Sequence, residues 1–172
     1  ASLKMMENNW RLSKLVEMLK LDKGFIAMHS LMLAQFANMI LVRTPWASKE
    51  NAFKLTFSAL LHDLALRNPE LSELDSWADF ERKHKSGKFT DGDAHDFRLH
   101  PARAGLFCAE LRLSPSDVES VVLEHYERPD GQGFPRGLTH EQLSLLSSIL
   151  IAAHELVYFA QKMKGQFKMS DF

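Results

Sequence analysis

The segment "ALLHDLAL", residues 59–66, places a histidine and an aspartate side by side in an otherwise apolar stretch. Apolar residues around this pair recur at the spacing of an α-helix, so His62 and Asp63 interrupt a face that would otherwise be buried. A carboxylate has two oxygens and can hold two cations at once, which an imidazole cannot do. The His-Asp step therefore predicts a pair of metal ions bridged by Asp63 inside a helical core.

Helical spacing of apolar residues continues through most of the chain, with little of the alternation typical of strands. We therefore predict an all-α fold, with helices over about 8–20, 25–42, 49–66, 97–111, 115–126 and 140–163. Helix starts are marked by Ser114 followed by Pro115, and by the capping-box spacing of Thr139 and Gln142. Residues 67–97 are polar and charged, and they predict an insertion or lid with one short helix around 76–84.

The composition bounds the domain count and the partners. The 172 residues, 45% of them hydrophobic, fit one domain over 1–172. A net charge of -1 gives no overall field toward a nucleic acid polymer or a membrane surface. Polar residues interrupt the apolar window 25–42, so we expect a buried helix there and no membrane insertion. The single cysteine, Cys108, excludes intrachain disulfides and favours a cytoplasmic location.

Five of the eight histidines lie on apolar helical segments: His29, His62, His100, His125 and His154. One such histidine alone is more often a hydrogen-bonded core residue than a ligand. Five buried imidazoles would need five separate polar partners, whereas one metal cluster satisfies them together. With Asp63 they form a mixed nitrogen and oxygen donor set, which suits iron, manganese, zinc or nickel. We expect His84 and His140 at the surface, and His95 fits either environment.

Three motifs then resemble one family, the HD-GYP branch of the HD phosphohydrolases: "LLHD" at 60–63, "HPARAG" at 100–105 and "EHYERPDGQGFPRGL" at 124–138. The last motif, a glycine-rich loop after a histidine, is typical of this branch. The resemblance implies a helical bundle of the HD-domain type with a central metal site, either as a domain by itself or as the C-terminal part of a longer sensor protein. It also implies hydrolysis of the bacterial messenger cyclic di-GMP, with metal ligands at His29, His62, Asp63, His100 and His125.

Several positions depart from the family pattern. Tyr126 stands where the family has a second histidine, and His154 stands where it has an aspartate, so we expect His154 to be a nitrogen ligand. Phe25 replaces a glutamate found in some members, which predicts two divalent metal ions rather than three. We expect these ions to be iron or manganese, with zinc or nickel as alternatives. Leu66 replaces a lysine, and Phe134 replaces the tyrosine of the glycine-rich loop. These changes predict weak turnover.

The resemblance implies two-metal hydrolysis in which His62 and Asp63 are the catalytic residues. Candidate substrate contacts are Arg103, Arg128, Arg136 and Phe134, with Lys162 and Lys164 as further cations. We expect Gly131 and Gly133 to adopt positive φ angles, and the loop to form one wall of the substrate cleft. Two alternatives stay open: a degenerate module that binds metal and cyclic di-GMP and contacts other signalling proteins, and a hydrolase of other nucleotides.

Overall fold

The computed structural model describes residues 25–111 and 114–162, with side chains from residue 28 onward. In these residues the protein is all-helical, as predicted, and the nearest approach to a sheet is one isolated bridge between Asp130 and Thr139. The helices are α1 (Phe25–Leu41), α2 (Lys49–Leu61), α3 (Trp77–Lys85), α4 (Asp91–Glu110), α5 (Val118–Leu123) and α6 (Leu145–Lys162), with a 3₁₀ helix at Pro69–Glu73. The predicted helix 8–20, Lys164 and the side chain of Phe25 lie outside the described residues.

Helices α1, α2 and α6 pack together and surround one buried apolar cluster. Helices α4 and α5 pack against each other, and α5 also contacts α2. A second cluster fills the space between the end of α2 and the α4–α5 pair, and it contains Cys108, the core residue that its apolar surroundings suggest. This arrangement brings the residue after α2 next to α1 and α6, and the residues after α5 next to α4.

Local hydrogen bonds explain most helix starts. Ser48 Oγ accepts the amide hydrogen of Asn51 at the start of α2, at 3.0 Å. Thr90 and Asp93 form a complete capping box at the start of α4, which places that start before the predicted residue 97. Both bonds satisfy amide groups that a helix leaves unpaired at its first turn.

Two predicted helix starts are wrong. Gln142 Oε1 accepts from the amide and hydroxyl of Thr139, but residues 140–142 form a turn, and α6 begins at Leu145 after Ser144 Oγ accepts from Ser147. Ser114 makes no cap, and α5 begins at Val118 after Asp117, whose φ is 75°. Helix α2 also ends at Leu61, before the predicted residue 66.

The segment 67–97, predicted as an insertion or lid, contributes to the core. Its short helix, Trp77–Lys85, matches the helix expected at 76–84. Leu71, Leu74 and Phe80 are buried in an aromatic-rich cluster that also contains Tyr126 and Phe134. The segment thus packs directly against the loop after α5.

Within the described residues, no helix is both long and apolar enough to cross a bilayer. Helix α1 buries His29 and Ser30, two of the polar residues that interrupt its apolar window.

Candidate metal centre

Five structural elements bring the six predicted metal ligands into one buried place. His29 lies in α1, His100 in α4 and His154 in α6, while His62 with Asp63 follows α2 and His125 follows α5. All six side chains are at most 3% exposed. The six residues, which are spread along the sequence, thus lie together in the fold.

The six residues divide into two groups of three. His29, His62 and His154 form one triad, and Asp63, His100 and His125 form the other, with the donor atoms of each triad within 4.8 Å of one another. The Nε2 atoms of His29 and His154 are 3.1 Å apart, and so are those of His100 and His125. Two nitrogens bound at right angles to one ion, each at about 2.1 Å, would lie about 3 Å apart. The spacing in each triad therefore fits one metal ion.

Asp63 lies between the two triads. Its Oδ2 is 3.2 Å from His62 Nε2, and its Oδ1 is 3.4 Å from His100 Nε2 and 3.8 Å from His125 Nε2. Neither oxygen of Asp63, nor Nε2 of His62, has a hydrogen-bond partner within the part of the chain that the structure describes. Buried polar atoms without partners are costly, and a shared cation would satisfy all three.

Backbone carbonyls fix the tautomer of three of the histidines. His62, His100 and His125 each place Nδ1 at 2.6–2.8 Å from the carbonyl oxygen three residues earlier, which belongs to Ala59, Phe97 and Val122 respectively. Because a carbonyl only accepts, Nδ1 carries the proton and Nε2 keeps its lone pair. Three lone pairs and a carboxylate thus converge without a proton between them, which is the arrangement that a cation requires.

Pro101 explains why Phe97 can serve His100 in this way. In a regular α-helix the carbonyl of Phe97 would accept the amide hydrogen of residue 101, but proline has none. Pro101 lies inside α4, and the free carbonyl accepts from His100 Nδ1 at 2.7 Å. The sequence pair His-Pro therefore has a structural role that we did not derive from the sequence.

Electrostatics keep the site in the form that binds metal. Burial, together with the neighbouring His62, lowers the pKa of His29 to about 4. Burial also lowers the pKa values of His125 and His154 well below their usual range. Burial raises the pKa of Asp63, but the facing imidazoles of His62 and His100 outweigh it and hold that pKa well below its ordinary value. At neutral pH His29, His125 and His154 are therefore neutral, and the Asp63 carboxylate is ionised.

Tyr126, at the position of the family's second histidine, directs its hydroxyl to hydrogen bonds outside the two triads. Its hydroxyl donates to the carbonyl of Leu74 at 2.6 Å and lies 2.8 Å from the hydroxyl of Tyr158. Burial raises the pKa of Tyr126 well above 10, so the phenolate needed for metal binding is disfavoured. The ring still lies against the centre, with its centroid 4.7 Å from that of His125 and 5.4 Å from that of His100.

Glu127 holds the glycine-rich loop from beneath. Its Oε1 accepts from the amide of Arg136 at 2.6 Å, and its Oε2 accepts from the amide of Leu138 at 2.8 Å. The carboxylate is fully buried, and both of its oxygens are used in fixing the loop. This geometry gives Glu127 a role in holding the loop.

The glycines of the loop have different roles. Gly131 has a φ of 77°, as predicted, but the expectation of a positive φ at Gly133 is wrong. A Cβ atom on Gly133 would lie 2.2 Å from the amide nitrogen of Arg128 and 2.4 Å from Glu127, so glycine is required there by a close approach of two backbones. Gly137, at a φ of 67°, is the other left-handed position in the loop.

The predicted substrate contacts do not all lie in one place, and the charged ones are paired with neighbouring groups. Arg103 pairs with Asp96 at 2.7 Å, Arg136 pairs with Glu124, and Arg128 pairs with Glu155 while donating to the carbonyl of Asp75. Phe134 is buried and stacks on Tyr126. Lys162 pairs with Asp75.

Two separate clefts contain some of these residues. Arg128 and Phe134 line one cleft of about 370 Å³, while Arg103 lines another of about 260 Å³. The substrate-binding roles stay predictions.

Leu66, in place of the family's lysine, is buried in the aromatic-rich cluster, whereas the neighbouring Arg67 has a largely exposed side chain. Arg67 lines the smaller cleft with Arg103 and His95, and its amide donates to Asp96. His84 is partly exposed beside Asp91, and His140 is exposed.

Comparison with known proteins places the chain in a family. The chain belongs to the HD domain family, whose pattern matches residues 13–169. The fold and family that the resemblance implied are thus confirmed at the level of the HD domain.

One curated protein similar to part of the chain is named "Cyclic di-GMP phosphodiesterase PA4108", from Pseudomonas aeruginosa. It is 36% identical over 93 residues, which are 52% of this chain and 20% of that protein. The chain therefore spans a small part of its relative. No solved structure matches the chain.

Proposed function

We propose that this protein is a metal-dependent phosphodiesterase of the HD-GYP branch that hydrolyses cyclic di-GMP with low turnover. The observation that carries the proposal is the pair of buried triads joined by Asp63. Membership of the HD domain family supports it, and so does the name of the Pseudomonas aeruginosa relative. The cytoplasm and a single domain over 1–172 stay predictions.

The donor set fits two divalent transition-metal ions, one for each triad. Imidazole nitrogens with one carboxylate suit iron or manganese, with zinc or nickel as alternatives, better than magnesium or calcium. Two such ions would supply an activated water and stabilise the charge that develops on a phosphate. The number and identity of the ions are part of the proposal.

The side chains of the protein itself would hold the metal ions and attract the substrate. Asp63 is the one formally charged ligand among the six, so two divalent cations would leave a strongly positive centre that attracts an anionic phosphodiester. The bonds from His62 and His100 to backbone carbonyls hold their rings in one orientation. Complete burial of these ligands excludes bulk water and strengthens every charge interaction at the site.

Low turnover follows from three residues that share one apolar cluster: Leu66, Tyr126 and Phe134. Leu66 offers no cation to a phosphate, and Phe134 offers no hydroxyl. The Tyr126 hydroxyl is engaged with Leu74. Removal of a single donor to the transition state can lower a rate about a hundredfold.

The same cluster favours the alternative, a module that binds metal and cyclic di-GMP without useful turnover and signals through other proteins. Substrate binding at two metals would survive the loss of transition-state donors better than catalysis would. Both candidates bind metal and cyclic di-GMP, and they differ in whether the dinucleotide is hydrolysed, so a hydrolysis assay separates them.

The experiment is metal analysis of anaerobically purified protein together with a cyclic di-GMP hydrolysis assay. We expect about two transition-metal ions per chain and a rate below about 1 per second. Asp63→Ala should remove both ions, because it loses the bridge and a negative charge together. Glu141→Gln, at an exposed site, is the matched control. Absence of metal under metal-replete conditions would overturn the proposal, and metal binding without hydrolysis would favour the binding module.

A further inference from the structure

The larger cleft lies between the start of α3 and the glycine-rich loop. It has a volume of about 370 Å³, and its lining includes Trp77, Tyr126, Arg128, Asp130, Gln132 and Phe134. Aromatic rings therefore meet hydrogen-bonding side chains in one concave surface, which is the usual make-up of a site for a planar heterocycle. We call this surface the loop cleft.

The loop cleft adjoins the metal centre through one side chain. The ring of Tyr126 lines the cleft and also lies 4.7 Å, between centroids, from the ring of His125. Tyr126 therefore lies between the loop cleft and the metal centre, and a ligand that reaches both would have one group on each side of this ring. A nucleotide, with a phosphate and a base a few bonds apart, has two such groups.

The side chain of Asp130 is held by the backbone of the loop. Asp130 Oδ1 accepts from the amide of Gln132 at 3.0 Å, and the amide of Gly131 donates to the carbonyl of Arg128 at 2.9 Å. Asp130 also bridges to Thr139 across the loop. Within residues 25–111 and 114–162, Asp130 Oδ2 has no hydrogen-bond donor, and the side-chain amide of Gln132 has no partner. The Asp130 carboxylate is thus held in place with one oxygen open, and the exposed Gln132 amide lies beside it at the rim without a partner in these residues.

The aromatic wall of the loop cleft is fixed as well. Trp77 stacks on Phe80 with centroids 5.0 Å apart, and the guanidinium of Arg98 lies 4.0 Å from the Trp77 ring centroid. Phe134 stacks on Tyr126 with centroids 4.9 Å apart. A base entering the cleft would meet rings that are already in place, which reduces the ordering cost of binding.

We propose that the loop cleft binds a guanine base of the substrate, with Asp130 accepting from the N1 hydrogen and the 2-amino group, and with the Gln132 amide donating to O6. This inference rests on the proposed function, since it assigns the base of the same dinucleotide whose phosphate would lie at the metals. Enzymes that act on nucleotides read a base through hydrogen bonds to this edge and through contact with aromatic side chains.

The same geometry disfavours adenine. Adenine has an acceptor at N1 and a donor at its 6-amino group, so its N1 lone pair would face the Asp130 carboxylate, and its amino group would face an amide donor. Hydrogen bonds to a charged group contribute about 1.5–3 kcal/mol, so loss of the Asp130 contact should change affinity by about tenfold or more.

The test is the ratio of affinities for cyclic di-GMP and cyclic di-AMP, measured by calorimetry with the protein as purified. We expect the unaltered protein to prefer cyclic di-GMP by at least about tenfold. Asp130→Asn keeps the oxygen that accepts from Gln132 but replaces the second oxygen with a donor, so this preference should fall to about one. Melting temperature and metal content report whether Asp130→Asn has disturbed the fold.

Glu141→Gln removes a carboxylate at an exposed site of the same region and should keep the preference of the unaltered protein. If the protein hydrolyses cyclic di-GMP while Asp130→Asn retains the full preference, the base site is wrong and the proposed function stands. If the unaltered protein binds both dinucleotides equally, the base site is also wrong. If it neither binds nor hydrolyses cyclic di-GMP, the proposed function itself falls.

Discussion

His100 and His125 bring their Nε2 atoms to 3.1 Å from each other, although each ring donates its Nδ1 hydrogen to a backbone carbonyl three residues earlier. Neither neutral ring can then donate to the other, so the two lone pairs face each other in the core. Such a contact is unfavourable by itself and becomes favourable around a cation. The relationship therefore indicates a fold that is organised for metal.

We predict that His154→Leu lowers the metal content from about two ions to about one per chain. His154 supplies one of the three nitrogens of its triad, and two imidazoles hold a divalent ion far less tightly than three. His125→Leu should likewise lower the metal content to about one ion per chain, through loss of the ion in the other triad. The double variant should bind almost no metal. Elemental analysis after anaerobic purification measures all three proteins.

His140→Leu, which changes an exposed histidine, is the control and should keep the full metal content. A His154→Leu protein with two ions per chain would show that His154 is a packed core residue.

Most of the candidate centre could be predicted because its residues are polar and lie in otherwise apolar segments of the sequence. A histidine in an apolar helix, such as His29 or His154, needs a partner, and five such residues share one most easily at a single place. The division into two triads could not be predicted, because it depends on how the end of α2 meets α1, α4 and α6. The role of Pro101 was also not predicted. A proline directly after a helical histidine indicates a free carbonyl that can accept from that histidine, and this His-Pro pair is visible in the sequence.

The fold was predicted in its class, and the errors lie at helix ends. Thr139 and Gln142 make the hydrogen bonds of a capping box without a helix after them, because Ser144 begins α6 instead. Local capping energies of about 1 kcal/mol do not decide a boundary when tertiary packing favours another. The positive φ expected at Gly133 failed for a related reason, since the close approach of Arg128 is visible only in three dimensions.

We predict that Tyr126→Phe keeps two metal ions per chain but lowers the free energy of unfolding by about 1–2 kcal/mol, because the buried carbonyl of Leu74 loses its donor. Urea unfolding and elemental analysis test the two parts separately. Tyr158→Phe removes a longer hydrogen bond, 3.3 Å to the carbonyl of Ser72, and should cost less. Loss of an ion from Tyr126→Phe would instead make this tyrosine a ligand.

The metal-free protein should lose stability as the pH falls from 6.5 toward 4. The pKa of His29 is lowered to about 4 in the folded state, and an unfolded histidine titrates near 6.5. Between these two pH values His29 is protonated in the unfolded state but neutral in the folded state. The free energy of unfolding therefore decreases as the pH falls. The loss from His29 alone is about 3 kcal/mol, and the lowered pKa values of His125 and His154 act in the same direction.

Urea unfolding of chelator-treated protein at pH 7 and pH 4.5 measures this difference. His29→Leu should reduce this difference between the two pH values, because leucine does not titrate in either the folded or the unfolded state. An equal pH dependence in the variant and the unaltered protein would contradict burial of a neutral His29.

The last prediction concerns the backbone contact beneath the glycine-rich loop. Gly133→Ala would place a Cβ atom 2.2 Å from the amide nitrogen of Arg128 and 2.4 Å from Glu127, a separation that no side-chain rotation can relieve. The loop must then move away from Glu127, which weakens the bonds from Arg136 and Leu138 to that buried carboxylate. We expect a loss of about 1–3 kcal/mol in the free energy of unfolding, together with weaker binding of cyclic di-GMP. Metal content should stay at the level of the unaltered protein, since the proposed ligand His125 precedes the displaced loop. Gly92→Ala is the matched control, because its nearest neighbour, Thr90 Oγ1, would lie at an ordinary 3.5 Å and alanine suits the first turn of α4. If Gly133→Ala is as stable as Gly92→Ala and binds the dinucleotide equally well, the close approach does not fix the loop.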